Sequence, residues 1–137
     1  MSGHARKLLF VEDDLGLQRQ LRWSFSDYEV MTASDRSAAI SCISIHQPTV
    51  VVLDLGLPPD PDGASEGLAT LETIRTTWPR IKVIIMTGNE DRGYAFCAVS
   101  LGAYDYCDKP VEPDLLKMII GCAEHLQELE EELWQAT

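Results

Sequence analysis

Short apolar runs alternate five times with segments of helical periodicity along the 137 residues, and this alternation limits the fold more than any other feature. The strongest runs are KLLFV (7–11), VVVLD (50–54) and IKVIIMT (81–87), and weaker ones are YEVMTA (28–33) and AYDYCD (103–108). Strands that are apolar along their whole length are typical of a parallel sheet covered on both faces. The sequence therefore predicts an α/β fold, a three-layer sandwich built by right-handed crossovers.

The segments between these runs carry the spacing and the stop signals of helices. In LGLQRQLRWSF (15–25), apolar residues recur every fourth position, as on one face of a helix. Pro48 and Pro79 end the second and third helical segments, and Gly102 ends the fourth. The last segment begins near Pro113 and predicts one long C-terminal helix.

Charge and composition exclude some classes of function. The formal net charge of −11 disfavours direct binding to nucleic acid, which requires a basic face. No apolar run approaches the roughly 20 residues of a membrane helix, and the N-terminus lacks the apolar segment of a signal peptide.

The cysteines show no CxxC spacing and are expected to be reduced packing thiols, three of them within buried helix or strand; they are Cys42, Cys97, Cys107 and Cys122. A cytoplasmic location follows from reduced thiols.

Polar residues stand where four of the predicted strands end. They are Glu12, Asp13 and Asp14 after the first strand, Asp54 at the end of the third, Thr87 and Gly88 at the fourth, and Asp108 and Lys109 at the fifth. Ligands of open parallel sheets bind outside the carboxyl ends of the strands. We therefore expect at least three carboxylates, one hydroxyl and one lysine to meet at this edge.

Such a set of groups suits phosphoryl transfer. Clustered carboxylates repel one another unless a cation lies among them, and Mg²⁺ takes oxygen ligands while keeping waters for an incoming phosphate. Asp54 could then attack phosphorus and form an acyl phosphate. Lys109 would balance the phosphoryl charge, while the Thr87 hydroxyl and the Gly88 amide would donate hydrogen bonds to its oxygens.

These motifs together resemble the receiver domain of two-component response regulators. The resemblance rests on the acid pair after the first strand, Asp54 in DLGLP, Thr87 in IIMTG and Lys109 in DKP, and it covers the chain up to about residue 123. It implies a flavodoxin-like (βα)5 sandwich, with parallel strands in the order 2-1-3-4-5 and an extended C-terminal helix. It also implies a regulatory protein, not an enzyme beyond self-phosphorylation and slow autodephosphorylation. A sensor histidine kinase would phosphorylate Asp54, and a transcription-regulatory output domain would receive the signal.

The resemblance also implies residue roles. Glu12 and Asp13 match the metal-binding acid pair, with Asp13 the direct ligand, and Asp14 is a third acid and a possible ligand. Asp54 and the backbone carbonyl of Gly56 complete the Mg²⁺ site. The Lys109–Pro110 peptide bond is expected to be cis.

A conformational switch is implied as well. In the family, the threonine moves toward the phosphoryl group, and an aromatic residue three positions before the lysine swings inward. Here these residues are Thr87 and Tyr106. The switched surface would be formed by the fourth helix, the fifth strand and the fifth helix. The alternative is that Tyr106 is an ordinary half-buried strand aromatic.

The loop Pro59–Gly67 departs from the family pattern. It is longer by roughly five residues, and either Asp62-Gly63 or Glu66-Gly67 is the equivalent of the usual Asp-Gly pair. A surface insertion is the favoured interpretation, and a lip over Asp54 is the alternative. With LRWSF and GLATLE, this loop specifically resembles receivers of NtrC-like, sigma-54-dependent activators associated with exopolysaccharide and PEP-CTERM systems.

The C-terminal helix carries a heptad-like seam with alternating spacings of four and three. The seam consists of Leu115, Ile119, Cys122, Leu126, Leu129, Leu133 and Ala136. A receiver domain needs only the first part for packing, so residues 124–137 are expected to have no partner inside the domain. They are either a frayed end or, as we favour, a linker helix that dimerises and leads to an output domain. Trp134 would then be an exposed aromatic. A homodimer through this helix or the switched surface is expected.

Two other functions remain as alternatives. A Mg²⁺-dependent phosphohydrolase of the haloacid-dehalogenase kind also uses a strand-end aspartate, but it has a second aspartate two positions later, where this chain has Gly56. A phosphate-independent interaction module would have lost its chemistry, whereas every expected site residue is present in this chain.

Overall fold

The computed structural model describes residues 6–61, 63–88 and 92–136. In chain order its elements are β1 (Lys7–Val11), α1 (Leu15–Ser24), β2 (Glu29–Ala33), α2 (Arg36–His46), β3 (Val50–Asp54), α3 (Ser65–Thr77), β4 (Lys82–Gly88), α4 (Arg92–Ser100), β5 (Asp105–Lys109) and α5 (Pro113–Ala136). The strands form one parallel sheet in the order β2-β1-β3-β4-β5. The predicted fold and strand order are confirmed.

Two apolar clusters cover the two faces of the sheet. Alternate residues of a strand point to opposite faces, and all five residues of β3 are buried. On one face, Leu9, Val51 and Ile85 pack against Ile43 of α2, Leu71 of α3 and other residues of α2, α3 and α4. On the other face, the packed residues are Leu8, Phe10, Val52, Ile84, Leu21, Phe25, Leu116 and Ile120. The central strands are thus covered on both faces, and the strand order places the carboxyl ends of β1, β3 and β4 side by side at one edge of the sheet.

Local contacts position the ends of the helices that border this edge. Asp14 caps α1, because its side chain accepts a hydrogen bond from the Leu17 N–H at 3.1 Å. Gly67, in the first turn of α3, lies so close to the chain after β3 that a Cβ there would be 2.3 Å from Leu55 Cα. The missing side chain therefore allows α3 to pack directly behind the residue that follows Asp54.

The long C-terminal helix α5 packs on the sheet through a different stripe from the predicted seam. Leu116, Ile120 and Ala123 are fully buried, whereas Leu115 and Cys122 are exposed. The prediction that the first part of the seam packs on the domain is correct only for Ile119, which packs against the cluster on this face. The fully buried stripe lies one residue later, about 100° around the helix. Within the described ranges, no helix, α5 included, is long and apolar enough to cross a membrane.

The second half of α5 is bound to the amino edge of the sheet by ion pairs. Glu130 pairs with Lys82 at 2.6 Å, and Glu131 pairs with Arg80 at 2.9 Å. The Arg80 guanidinium also lies 4.1 Å from the centre of the Trp134 ring. We refer to these five residues as the α5 clasp. The prediction that residues 124–137 have no partner inside the domain is therefore wrong.

A second set of contacts joins α5 to the residues that directly precede β1 and β2. The Tyr28 hydroxyl donates to Glu124 at 2.9 Å, and Arg6 forms ion pairs with Glu124 and Glu128. Glu124 is buried, and burial raises the pKa of its carboxyl group above the ordinary value. The helix is thus attached at several points beyond residue 123.

The cysteines are all free thiols, as expected, but they are less buried than expected. Only Cys107 is buried, Cys42 is half-buried, and Cys97 and Cys122 are exposed. The prediction that three of them lie in buried helix or strand is wrong, because α4 and α5 turn Cys97 and Cys122 outward.

Candidate functional site

The carboxyl edge of the sheet contains an open cleft of about 430 Å³. Eight residues singled out from the sequence line it: Glu12, Asp13, Asp14, Asp54, Gly56, Thr87, Gly88 and Lys109. They come from the ends of β1, β3, β4 and β5 and from the residues that follow β1 and β3. The parallel sheet brings together groups that are up to 97 positions apart in the chain.

Three acidic residues form the centre of the cleft. One carboxylate oxygen from each of Glu12, Asp13 and Asp54 lies within 4.8 Å of the other two. The Gly56 N–H donates to Asp54 Oδ1 at 3.1 Å and so fixes the orientation of this carboxylate. Three hard oxygen donors at this spacing fit a divalent cation such as Mg²⁺. We refer to Glu12, Asp13 and Asp54 as the acidic triad.

Lys109 joins two members of the acidic triad. Its Nζ donates to Glu12 Oε1 at 2.7 Å and lies 3.3 Å from Asp54 Oδ2. Burial lowers the pKa of this ammonium group, but the hydrogen bond to Glu12 and the attraction of both carboxylates outweigh burial and raise the pKa above its ordinary value. Lys109 is therefore held in its charged form beside the strand-end aspartate.

One lysine does not compensate the charge of Glu12. Burial, reinforced by repulsion from Asp54, raises the pKa of the Glu12 carboxyl to about 7, although Lys109 acts in the opposite direction. A buried carboxyl group with a second carboxylate beside it shows this behaviour when the nearby positive charge is insufficient. The acidic triad therefore favours an additional cation, which agrees with the chemistry of its donor atoms.

The backbone around Glu12 is fixed by contacts that sequence reasoning missed. The Gln18 side-chain amide donates to the Glu12 carbonyl and to Ser34 Oγ, and Gln18 is a buried polar residue on the inner face of α1. The Glu12 N–H donates to the Ala33 carbonyl at 2.9 Å. A polar residue at a core position of an amphipathic helix is the signal that could have identified Gln18.

Asp14 has a structural role at the start of α1. Its carboxylate is occupied in capping α1, and its own N–H donates to Glu12 Oε2 at 3.1 Å. It lines the cleft but does not belong to the group of oxygens that lie within 4.8 Å of one another. Among the described residues, the group of acids that could hold a cation is therefore the acidic triad, and Asp14 lies outside it.

The two candidate switch residues lie in different places. Thr87 is buried beside the cleft at the end of β4, whereas Tyr106 is half-buried and packs against the apolar cluster that α2, α3 and α4 cover. Gly88 pairs in register with Lys109, so its backbone lies next to the lysine. The Lys109–Pro110 bond is cis, as predicted. The switch role of Tyr106 stays a prediction.

Sequence reasoning also missed residues on the rim of the cleft. Pro61 and Gly63 of the long loop and Tyr94 of α4 line it. The loop approaches so closely that a Cβ at Gly56 would lie 2.6 Å from the Pro61 carbonyl oxygen. The loop therefore borders the cleft and is not a remote surface insertion. Asp62, which belongs to one of the two candidate Asp-Gly pairs, lies outside the described residues.

Comparison with known sequences gives one family. The chain matches the model described as "Response regulator receiver domain" over residues 8–121. It is 29% identical over 129 residues to the regulatory protein AtoC of Escherichia coli, which covers 93% of this chain and 27% of that protein. It is 33% identical over 109 residues to the transcriptional regulatory protein KdpE of Mycobacterium tuberculosis, which covers 78% of this chain and 46% of that protein. The chain thus spans about a quarter to a half of the length of these relatives.

Solved structures have the same architecture. The receiver domain of NtrX from Brucella abortus superposes with a TM-score of 0.79 at 29% identity, over 86% of this chain and 98% of that one. A longer NtrX structure from the same organism, in complex with ADP, gives a TM-score of 0.86 at 28% identity, over 96% of this chain and 29% of that one.

Proposed function

Because the chain belongs to the response regulator receiver domain family, we propose that Asp54 accepts a phosphoryl group from a sensor histidine kinase and that the chain passes this signal to an output domain. Receiver domains of two-component systems relay phosphorylation in this way. One observation carries the residue assignment: Asp54, at the end of a fully buried strand, contacts Lys109 and belongs to the acidic triad.

In the proposed reaction, an Asp54 carboxylate oxygen attacks phosphorus. A P–O bond forms, and the bond from phosphorus to the donor nitrogen breaks, so that the donor imidazole leaves with the electron pair. The hydrogen bond from the Gly56 N–H orients the carboxylate, and Lys109 lies close enough to balance the charge of the transferred group. The Gly88 amide and the Thr87 hydroxyl border the same cleft and would donate to the phosphoryl oxygens.

Glu12, Asp13 and Asp54, with the Gly56 carbonyl, are proposed to hold Mg²⁺. Receiver domains bind Mg²⁺ at an acidic site. When bound, the ion would offset the negative charge of the carboxylates and of the incoming phosphoryl group. The raised pKa of Glu12 supports this assignment, because it reflects a buried acid beside another carboxylate.

The output of the domain is proposed to involve Thr87, Tyr106 and α5. Thr87 would turn toward the phosphoryl group while Tyr106 swings inward, which would alter the surface of α4, β5 and α5. The apolar seam of α5 supports a homodimer through this helix, because Leu115, Leu126, Leu129 and Leu133 are exposed. Residues 124–137 would connect the receiver domain to the output domain.

The parent protein is proposed to be an NtrC-like, sigma-54-dependent activator associated with exopolysaccharide and PEP-CTERM systems. The similarity to NtrX and AtoC supports the NtrC-like part of this assignment. Four free thiols support a cytoplasmic location. The net charge of −11 argues against direct contact of this chain with DNA.

A phosphorylation assay tests the proposal directly. The chain is incubated with acetyl phosphate and Mg²⁺, and its intact mass is measured over time. We expect one phosphoryl group per chain, removed by hydroxylamine as an acyl phosphate is, and absent from Asp54→Asn. The control is Asp60→Asn, which removes a loop carboxylate that accepts a hydrogen bond from the Ser65 hydroxyl. An unmodified wild-type chain, or a phosphorylated Asp54→Asn variant, would overturn the proposal.

A second assay, of turnover of a small phosphate ester, separates the phosphohydrolase alternative. Such an enzyme needs a proton donor two residues after its nucleophile, and Gly56 has no side chain to supply one. We therefore expect no sustained turnover of p-nitrophenyl phosphate. Turnover at rates typical of enzymes would favour the phosphohydrolase.

A further inference from the structure

Two buried polar atoms near the carboxyl ends of β4 and β5 have no hydrogen-bond partner among the described residues: Thr87 Oγ1 and Asp108 Oδ1. A buried polar group without a hydrogen bond is energetically unfavourable, so each such group requires an explanation. Thr87 is part of the cleft, but Asp108 does not line it. Asp108 is an acid on β5 that none of the roles assigned above uses.

The sheet places these two residues next to each other. Thr87 of β4 and Asp108 of β5 are register partners in adjacent parallel strands. Register partners project their side chains to the same face of the sheet, about one strand spacing apart. Thr87 Oγ1 and Asp108 Oδ1 therefore share one buried layer, on the face to which Tyr106, two residues before Asp108, also projects.

The chemistry of the two groups is complementary. A threonine hydroxyl has one proton to donate, and an ionised carboxylate can only accept. Lys109 does not satisfy Asp108, because its Nζ is bound to Glu12 and Asp54 and successive residues of a strand point to opposite faces. A rotation of the Thr87 side chain would satisfy both orphaned atoms with one charge-assisted hydrogen bond.

We propose that Asp108 is a positioning residue that holds the Thr87 hydroxyl away from the phosphoryl site in the unphosphorylated domain. The inference rests on the proposed function, in which the same hydroxyl must donate to a phosphoryl oxygen. Because the hydroxyl has a single proton, it cannot serve Asp108 and the phosphoryl group together. Asp108 thus stabilises the inactive arrangement, and phosphorylation must compete with it.

The test measures binding of beryllofluoride, a mimic of the phosphoryl group, in the presence of Mg²⁺ by titration calorimetry. Asp108→Val removes the acceptor and keeps a residue suited to a strand. We expect its dissociation constant to be about tenfold lower than that of the wild type, the size of a hydrogen bond to a charged group. The matched control is Asp105→Asn, which removes an equal charge from the opposite face of β5 and should change the constant less than about twofold.

A double-mutant cycle with Thr87→Val separates the hydrogen bond from the general field of the carboxylate. In the Thr87→Val background, Asp108→Val should change the dissociation constant by less than about twofold, because the donor is gone. A tenfold gain that persists in this background would show a field effect and would overturn the proposal. So would unchanged binding by Asp108→Val.

Further controls keep the outcomes distinct. If Asp108→Val does not fold, Asp108→Asn replaces it; this variant keeps the shape but accepts more weakly, and tightening of about threefold is expected. A wild-type chain that does not bind beryllofluoride in an Asp54-dependent manner contradicts the proposed function itself. Normal wild-type binding that is unaffected by substitution of Asp108 contradicts only the role of Asp108.

Discussion

In the absence of Mg²⁺, the contribution of Glu12 to the free energy of unfolding should fall as the pH rises. The side chain of Glu12 is 1% exposed, and its pKa is raised to about 7 from an ordinary value of 4.5, chiefly by burial. Between these values the folded chain binds more protons than the unfolded chain. The stability associated with Glu12 is therefore complete below pH 4.5 and is lost as the pH rises through about 7.

The size of the effect follows from the difference between the two pKa values. At about 1.4 kcal/mol per pKa unit, it corresponds to roughly 3 kcal/mol between pH 4.5 and pH 8. Urea unfolding of the wild type and of Glu12→Gln, in EDTA and at several pH values, measures it as a difference between the two proteins. Glu124, whose pKa burial also raises, is present in both proteins, so its contribution cancels.

The expected result is a wild type that loses about 3 kcal/mol relative to Glu12→Gln over this pH range. Mg²⁺ should reverse the loss, and it should stabilise the wild type more at pH 8 than at pH 5, because a metal ion binds the ionised carboxylate. Parallel pH profiles for the two proteins, or a wild type that gains stability relative to the variant, would refute the reasoning.

Two more predictions concern the scaffold. Gly67→Ala should destabilise the chain by more than about 2 kcal/mol in urea unfolding, because the added Cβ would overlap Leu55. The control Gly93→Ala, whose Cβ meets nothing within 4 Å, should be neutral or stabilising. Equal effects of the two substitutions would contradict the packing argument. Glu130→Gln should lower the free energy of unfolding by about 1–2 kcal/mol, because the Lys82 ammonium, in a side chain only 11% exposed, loses its carboxylate partner. The control Glu132→Gln, at an exposed position, should lower it by less than about 0.5 kcal/mol. A loss below about 0.5 kcal/mol for Glu130→Gln would mean that this pair does not hold α5.

The convergence of the cleft residues could be predicted because it depends on topology alone. Once β1, β3, β4 and β5 are parallel and adjacent, the residues after them must meet, whatever the details of packing. For this reason the alternation of strand and helix segments in the sequence was sufficient to predict that Asp13, Asp54, Thr87 and Lys109 lie at one edge of the sheet. Gln18 also had a readable signal, as a polar residue at a core position of α1.

The rest depends on contacts that have no local signature. The seam of α5 and its buried stripe have the same helical period, so periodicity could not decide which of Leu115 and Leu116 faces the sheet. The pairing of Lys82 with Glu130 joins residues 48 positions apart and becomes visible only when β4 and α5 are placed together. Tyr94 and Pro61 also line the cleft without a local signal in the sequence, because only the three-dimensional path of α4 and of the long loop brings them there.

The continuity of α5 has a mechanical consequence. Its 24 residues make a rod about 36 Å long, which begins four residues after Lys109 and is held by the α5 clasp beyond the amino end of β4. A tilt of about 10° at its first turn would carry its last turn sideways by about 6 Å. A small rearrangement beside the acidic triad would thus produce a large displacement of α5 at the opposite end of the domain, and the α5 clasp would limit that displacement.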